Sequence, residues 1–352
     1  MRMKILAEPD PYNAWFDARL ISLDPLVTLS SIENGMVWLA EFARDCPQVF
    51  DRPTGFHLLS TTWGIGKVLT AASLKRSVER AMQQLPGHHF VLMASDEGEQ
   101  FELLNEGIDC IVCNSSIFVD EQVWRPTLPH NREFGSFDAV YNARLMAYKR
   151  HELAAGIESL LLIHAAPFGA GKEAEFARIR TLLPKARSAN ELHGTPWYDQ
   201  MTPELVCEFL AHAKCGLALS REEGVMKASV EYMLCGLPVV STASLGGRDR
   251  YYVFPFTQIA QDDPEAVAAA VTTMVRRQFD RNAVRQAIAG LIAFDRHNFL
   301  EAIAKAVGKY LGATLPQEGF EPYRGFKKRF LRSHVAMEAL ASSAARLKER
   351  RQ

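Results

Sequence analysis

Short apolar runs alternate with longer segments of helical periodicity along most of the chain. This alternation is typical of parallel β-sheets whose strands are connected by helices. In the first part the pattern predicts a helix over residues 67–85 and strands over residues 3–7, 55–60, 88–95 and 107–114. In the second part it predicts strands over residues 137–143, 160–166, 215–220, 237–242 and 251–256. It predicts helices there over residues 169–186, 202–214, 224–235 and 263–278.

The two parts are separated by a segment without sustained periodicity. Residues 115–136 are rich in turn formers and form the natural linker. A length of 352 residues also favours two domains. We therefore expect an α/β protein with one domain over residues 1–130, a second over residues 131–312 and a helical tail over residues 313–352.

Composition and charge narrow the class of protein. The chain is 48% hydrophobic and 23% charged, the ordinary balance of a globular protein, and its net charge is −1. A charge so close to zero argues against a global electrostatic grip on nucleic acid. The first apolar run is broken at once by Glu8, Pro9 and Asp10, which does not resemble a signal peptide. No window approaches the ~20 apolar residues that a membrane span needs, so we expect a cytoplasmic protein.

The tail departs from this neutral average. Residues 324–352 contain nine Lys/Arg and two Glu, a net of +7, so the remainder of the chain carries −8. Its apolar residues fall close to helical spacing, with basic residues between them. One interpretation is a basic amphipathic helix at an anionic membrane surface, which would make the protein peripheral to the inner face of the membrane. The favoured alternative is a terminal helix packed on the protein.

The six cysteines do not indicate a metal site. Cys110 and Cys113 form a C-x-x-C motif, but it lies within a predicted strand. Positions three apart on a strand face opposite sides of the sheet, so these thiols would not share a metal. A second C-x-x-C is missing, and reduced, packed cysteines are the better interpretation.

The segment LALSREEGVMKASVEYMLCGLPVVST carries the most chemistry. Its predicted helix is apolar almost all round except for Glu231, and Glu223 stands at its start. Eight residues span about 12 Å of helix, a distance that suits one carboxylate near each end of a nucleotide sugar. The helix N-terminus would direct backbone N–H groups at the diphosphate. The alternative, that Glu231 is an ordinary exposed helix residue and Glu223 a helix-start acid, is equally compatible with this segment alone.

Two cations follow the strand at residues 137–143. Arg144 and Lys149 lie in a strand-to-helix loop, where a planar fork and a point charge can converge on one phosphate group. Basic pairs in loops are more often only solvated. The glycine-rich stretches TTWGIGKVL and FGAGKE do not complete a dinucleotide or phosphate-loop fingerprint, and tight turns explain them better.

Taken in order, these pieces resemble a known family. Arg144 and Lys149, then the E-x7-E motif at Glu223 and Glu231, then GLPVVST, resemble the retaining GT-B glycosyltransferases of the glycogen-synthase-like group. CNSSIFVDEQVWRP is similar to the linker before that family's second domain, and LLLIHAAPFGAGKEAE to its strand, glycine turn and helix. SLGGRDRYY stands where the family has a Gly-Gly-x-x-Glu loop. The likeness covers residues 108–310.

This resemblance implies two Rossmann-like domains facing across a cleft, and metal-independent transfer of a hexose from a nucleoside-diphosphate donor to an acceptor hydroxyl with retention. Arg144 and Lys149 would neutralise the leaving diphosphate, Glu223 would hold hydroxyls of the transferred sugar, and Glu231 would bind the ribose. The remaining donor contacts would come from Gly224, Val225, Met226, Gly246 and Gly247. No metal or cofactor is expected besides the nucleotide sugar.

The family also implies a context, synthesis of a surface polysaccharide or other glycan on a glycan or lipid-linked acceptor. The acceptor-side histidine would be one of His57, His88 and His89, although each is more typical of a structural or surface histidine. Two alternatives remain, a sugar-nucleotide epimerase of the same architecture and a non-catalytic binding subunit. The presence of both cations and both glutamates argues against a non-catalytic binding subunit.

Overall fold

The computed structural model describes residues 18–23, 25–32, 52–61, 65, 69–165 and 172–315. The chain divides into two compact units. The first unit comprises Met1–Phe118 and Asp295–Gln352, and the second comprises Val119–Phe294. Residues 119–130, predicted within the first domain, thus fall in the second unit, and residues 295–312, predicted within the second, fall in the first. The predicted tail lies outside the described residues from residue 316 onward.

The described part of the first unit contains a five-stranded sheet with two helices. Its strands lie in the spatial order β1 (Ala18–Leu23), β2 (Leu26–Ser31), β3 (Gly55–Ser60), β4 (His88–Ala94) and β5 (Cys110–Val112). β1 and β2 form an antiparallel hairpin, and the pairs from β2 to β5 are parallel. The helices are α1 (Ala71–Gln84) and α2 (Glu97–Asn105). The predictions for β3, β4, β5 and α1 are confirmed, whereas the predicted strand at residues 3–7 lies outside the described residues.

Local sequence explains where α1 begins and which face it buries. The Thr70 hydroxyl accepts a hydrogen bond from the Ser73 N–H, and the Ser73 hydroxyl accepts one from the Thr70 N–H, both at 3.2 Å. This reciprocal capping box satisfies two of the N–H groups that a helix start leaves unpaired. Leu74, Val78 and Ala81 recur at helical spacing and are buried.

The second unit is built on a six-stranded parallel sheet. Its strands are β6 (Phe137–Asn142), β7 (Leu160–Ile163), β8 (Arg187–Ser188), β9 (Ala213–Ala218), β10 (Val239–Thr242) and β11 (Thr257–Ala260). Its helices are α3 (Lys172–Leu182), α4 (Ala189–His193), α5 (Pro203–Ala211), α6 (Lys227–Leu234) and α7 (Pro264–Arg277). A long helix, α8 (Arg281–Leu311), begins in the second unit and ends in the first.

The order of strands in the second unit locates its binding edge. The spatial order is β11-β10-β9-β6-β7-β8, so the chain moves outward in one direction from β6 and in the other from β9. Where the direction reverses, the loops after two neighbouring strands diverge and leave a crevice at the carboxyl ends. The loops that follow β6 and β9 therefore border the natural ligand site of this unit.

Two predicted elements differ from the structure. Residues 251–256 were expected as a strand, but a 3₁₀ helix runs through Gly247–Tyr251 and the edge strand is β11. Pro255 lacks the N–H that a strand position needs, which explains the displacement. The helix expected from residue 224 begins only at Lys227, because Met226 has an extended backbone conformation and is the N-cap. Glu223 and Glu231 therefore do not share one helix, and the spacing of about 12 Å along a helix does not apply to them.

Two histidines form a buried chain of hydrogen bonds in the first unit. The His88 Nε2 lies 2.9 Å from the Arg52 carbonyl oxygen, so this nitrogen carries the proton. The His88 Nδ1 then accepts from the His57 Nε2 at 2.8 Å, and the His57 Nδ1 accepts from the Thr28 hydroxyl at 2.7 Å. Both rings are buried in the sheet, an environment typical of structural histidines.

Two further observations concern absences. None of the described helices is both long and apolar enough to cross a membrane. Within the described ranges, no three His, Cys, Asp or Glu side chains gather in a way that could hold a metal ion. Cys110 opens β5 and is half-buried, while Cys113 follows the strand and is buried.

Candidate functional site

The loop after β6 brings Lys149 to the edge of the second sheet. A short 3₁₀ turn, Ala147–Lys149, places this lysine in a buried position, with only 7% of the residue exposed. The Tyr141 hydroxyl, from within β6, donates a hydrogen bond to the Lys149 carbonyl oxygen and fixes the main chain. An ammonium group so poorly solvated needs an anionic partner.

That partner is Glu223, in the loop after β9. The Lys149 Nζ lies 2.5 Å from the Glu223 Oε1, and the Ser220 hydroxyl donates to Oε2, also at 2.5 Å. Both oxygens of this carboxylate are thus engaged, at the point where the direction of the strand order reverses. The structure brings together two residues that the sequence analysis selected independently.

Two loops hold Glu223 in place. We call residues 220–224 the glutamate loop and residues 243–247 the glycine loop. The Glu223 N–H donates to the Leu245 carbonyl at 3.0 Å, and the Leu245 N–H donates to the Arg221 carbonyl at 2.8 Å. At Gly246, φ is +92° and an added Cβ would lie 2.8 Å from the Glu223 carbonyl oxygen. Only glycine fits this approach, which explains one glycine of the predicted Gly246–Gly247 pair.

Arg144 follows β6 in the same loop as Lys149. It is half-buried, and burial lowers the pKa of its guanidinium while Tyr148 opposes the shift. Burial, followed by the charge of Glu223, raises the pKa of Tyr148 to about 12, and Arg144 acts in the opposite sense. The pKa of Tyr148 therefore responds to both charges.

Glu231 occupies a different environment, on α6. Desolvation raises the pKa of its carboxyl to about 7, and the nearby Lys227 opposes the rise. Glu231 lies in α6, one helical turn beyond Lys227, and is half-buried.

The segment from Gly224 to Met226 leads into α6 without forming part of it. Gly224 and Met226 are buried and Val225 is half-buried. None of the described side chains caps the first turn of α6. Its N-terminal N–H groups therefore retain the partial positive charge that favours an anion.

Two arginines that the sequence analysis missed organise the strand ends. Arg248 is 2% exposed and donates from both terminal nitrogens to the carbonyl oxygens of Ser220 and Thr242. Its Nη1 also lies 3.3 Å from the Ser220 hydroxyl, which in turn donates to Glu223. Arg150, directly after Lys149, donates to groups that follow or end β9 and β10. Neither arginine has a sequence signal, because basic residues in polar loops are usually solvated.

Comparison with known families finds a match in the second unit. Residues 152–277 match the family model of the glycosyl transferases group 1. The matched segment includes the glutamate loop, α6 and the glycine loop, and it begins just after Lys149. No curated protein matches the sequence significantly.

Solved structures of low sequence identity share the fold. Sucrose-phosphate synthase from Thermosynechococcus elongatus is 14% identical with a TM-score of 0.52, and the match covers 76% of this chain and 78% of that one. A glycosyltransferase from Rickettsia africae is 13% identical with a TM-score of 0.50, and the match covers 80% and 82%. The fold is thus α/β with two Rossmann-like domains of GT-B type. Within the second unit, the family match is to a glycosyltransferase.

Proposed function

We propose that this protein is a retaining, metal-independent glycosyltransferase of the E-x7-E group, which transfers a hexose from a nucleoside-diphosphate donor to an acceptor hydroxyl. One observation carries the proposal. A buried lysine after β6 and a glutamate after β9 meet at 2.5 Å in the crevice that the strand order creates. The family match in the same unit supports the choice of reaction.

The donor diphosphate is assigned to the cations. Arg144 and Lys149 stabilise the negative charge that develops on the departing nucleoside diphosphate. The uncapped start of α6, reached through Gly224, Val225 and Met226, adds backbone N–H groups on the same phosphates. Fixed cations and dipoles of this kind supply the electrostatic work that a metal ion performs in other transferases.

The sugar and ribose are assigned to the two carboxylates. Glu223 already accepts from Lys149 and Ser220, and an ionised carboxylate has enough lone pairs to accept a sugar hydroxyl as well. The bonds that hold Glu223 to the glycine loop fix this acceptor before the donor binds. Glu231 is assigned to the ribose hydroxyls, which would supply the hydrogen-bond donors that its desolvated carboxylate needs.

The acceptor is assigned to a glycan or a lipid-linked sugar, in the synthesis of a surface polysaccharide. This part rests on the resemblance to the E-x7-E group. A transfer assay with crude lipid-linked oligosaccharide and with free monosaccharides as acceptors tests it. Transfer to neither acceptor would contradict this assignment while leaving donor binding intact.

The experiment that tests the function is a thermal-shift screen with ADP, GDP, UDP and dTDP, followed by incubation with the sugar donors of the nucleotide that binds. We expect one nucleotide to raise the melting temperature, and Lys149→Ala to reduce that rise. Slow release of free sugar without an acceptor, unchanged by a metal chelator, supports a metal-independent transferase. Interconversion of the donor sugar would identify an epimerase instead, and no binding would contradict the proposal. The anomeric coupling in the NMR spectrum of the first transfer product tests retention.

A further inference from the structure

Arg150 has an unusual backbone conformation for its residue type. Its φ and ψ are 50° and 52°, in the left-handed region, where a Cβ carries a steric cost. Such a cost persists only where surrounding contacts offset it, and non-glycine residues in this region often mark functional sites. Arg150 directly follows Lys149 and ends the 3₁₀ turn that presents it.

The contacts that offset this cost are made by the guanidinium. Its Nε donates to the Leu219 carbonyl oxygen at 2.6 Å, and one terminal nitrogen donates to the Thr242 hydroxyl at 2.6 Å. The other terminal nitrogen donates to the Asp262 carboxylate at 2.7 Å. One fork therefore joins three neighbouring strands at their carboxyl ends, since these partners follow or end β9, β10 and β11.

The three contacts differ in their surroundings. Leu219 and Thr242 are fully buried, whereas the Asp262 side chain is 45% exposed. The hydrogen bond from Arg150 lowers the pKa of the Asp262 carboxyl, but an ion pair this exposed adds little stability. The buried pair of contacts therefore fixes Arg150, and a planar fork is needed to reach both acceptors at once.

We propose that Arg150 is a positioning residue, which holds Lys149 against Glu223 and so aims its ammonium group at the donor diphosphate. The proposal rests on the function assigned to Lys149. The left-handed turn sends the Arg150 side chain to the strand ends while Lys149 reaches Glu223. The Tyr141 hydroxyl on the Lys149 carbonyl fixes the other side of the same peptide.

The test measures the reactivity of the Lys149 amine directly. Acylation by an acetyl N-hydroxysuccinimide ester at pH 8 is followed by mass spectrometry of the peptide that carries Lys149. Arg150→Gly keeps the left-handed backbone and removes the fork, and Arg150→Lys keeps the charge without the fork. Asp262→Asn, which removes only the negative charge of the exposed contact, is the matched control. The exposed Lys214 serves as the internal reference.

We expect Lys149 to be acylated at least fivefold faster in Arg150→Gly and Arg150→Lys than in the wild type, and at the wild-type rate in Asp262→Asn. Should Arg150→Gly fail to fold, Arg150→Lys carries the test. Lys149 rates that stay at the wild-type value in the folded Arg150 variants would overturn the proposal, even if both variants melt at lower temperature.

A second measurement connects the positioning role to the donor. If Arg150 acts through Lys149, then Arg150→Gly combined with Lys149→Ala should bind the nucleoside diphosphate found in the thermal-shift screen no more weakly than Lys149→Ala alone. Additive losses would contradict action through Lys149. If the wild type binds none of the four nucleotides, the proposed function fails, whereas the acylation rates still decide whether Arg150 positions Lys149.

Discussion

The Lys149 Nζ lies 2.5 Å from the Glu223 Oε1, although 74 positions separate the two residues in the sequence. The side chains are 9% and 15% exposed, so water screens their attraction only weakly. In the free protein, a carboxylate therefore occupies the lysine that the proposed function assigns to the diphosphate. The donor has to share or displace an internal anion.

This competition predicts that one substitution strengthens nucleotide binding and weakens sugar transfer. Glu223→Gln removes the negative charge beside Lys149 and keeps the shape of the side chain. We expect the nucleoside diphosphate to bind about fivefold tighter, equivalent to about 1 kcal/mol, while sugar transfer falls at least a hundredfold. Calorimetry and initial rates measure the two effects. Glu222→Gln, on the exposed neighbour, should change neither, and weaker nucleotide binding in Glu223→Gln would contradict the competition.

Replacement of Lys149 by alanine should lower activity more than stability. Lys149→Ala is expected to lower transfer by about 100- to 1000-fold, because the charge on the departing diphosphate loses a fixed counter-charge. The circular dichroism spectrum should keep its native shape, with a melting temperature lowered by a few degrees because Glu223 loses a buried partner. Lys214→Ala breaks an exposed ion pair with Asp138, 50% and 41% exposed, and is the control. Near-normal turnover of Lys149→Ala would remove the lysine from the phosphate role.

A methyl group at Gly246 should disturb the site through the backbone alone. In Gly246→Ala, the new Cβ meets the Glu223 carbonyl, and the left-handed φ adds strain, so we expect at least a tenfold loss in kcat/KM. At Gly290, within α8, nothing lies within 4 Å of an added Cβ. Gly290→Ala should therefore leave kcat/KM unchanged and stabilise the protein by about 0.5–1 kcal/mol. Equal kinetics in the two variants would show that the glycine loop does not hold Glu223.

The pKa of Glu231, raised to about 7, predicts how donor binding depends on pH. If the ionised carboxylate accepts the ribose hydroxyls, nucleotide affinity in the wild type should fall as the pH drops through 7. Glu231→Gln should bind the nucleotide more weakly above pH 7 and lose this dependence.

The same raised pKa predicts how stability depends on pH. A folded pKa above the ordinary value of 4.5 means that the folded protein favours the protonated form of Glu231, and this stabilisation is lost as the pH rises through 7. Glu231→Gln should therefore melt higher than the wild type at pH 8 and about equally at pH 4.

The buried histidine chain predicts acid sensitivity of the first unit. Desolvation, followed by the charges of His88 and His89, lowers the pKa of His57 to about 3 from 6.5, so the folded unit holds this ring neutral. The stabilisation is complete above pH 6.5 and is lost as the pH falls toward 3, since the unfolded chain takes up a proton first. When the pH is lowered from 7.5 to 5.5, the free energy of unfolding should fall by about 1.4 kcal/mol less in His57→Gln than in the wild type. Hydrogen exchange of peptides from β3, followed in urea, measures this free energy. His297→Gln, at an exposed position on α8, should behave like the wild type.

The sequence predicted the elements whose signal is local. Buried parallel strands such as β6 and β10 appear as continuous apolar runs. The start of α7 is marked in the sequence by the N-cap residue Asp263 and by Pro264 in the first turn. By contrast, α2 was not predicted, because its large apolar residues Phe101 and Leu104 are 67% and 53% exposed and form no buried stripe.

Within the site, the residues with strong chemical precedent were predicted, and those that depend on tertiary contacts were not. Lys149 and Glu223 were selected separately, from their positions after strands, and their contact emerged only in the fold. Arg150 and Arg248 were missed, because their role depends on distant acceptors: those of Arg150 lie 69 to 112 positions away in the chain, and the Ser220 carbonyl lies 28 positions from Arg248. No local pattern distinguishes an arginine that joins strand ends from one that is merely solvated.

The long helix α8 makes the first unit discontinuous in the chain. Its second half contributes Arg296, whose Nε donates to the Ile117 carbonyl at 2.6 Å, and Tyr310, whose ring lies 6.0 Å from that of Phe56. When residues 1–118 have left the ribosome, part of the core of the first unit has not yet been synthesised. All of Val119–Phe294, by contrast, emerges before α8 is complete. During synthesis the second unit can therefore complete its packing before the first unit. The first unit can do so only when residue 311 has left the exit tunnel. An expression fragment that ends near residue 130 would lack these partners from the start.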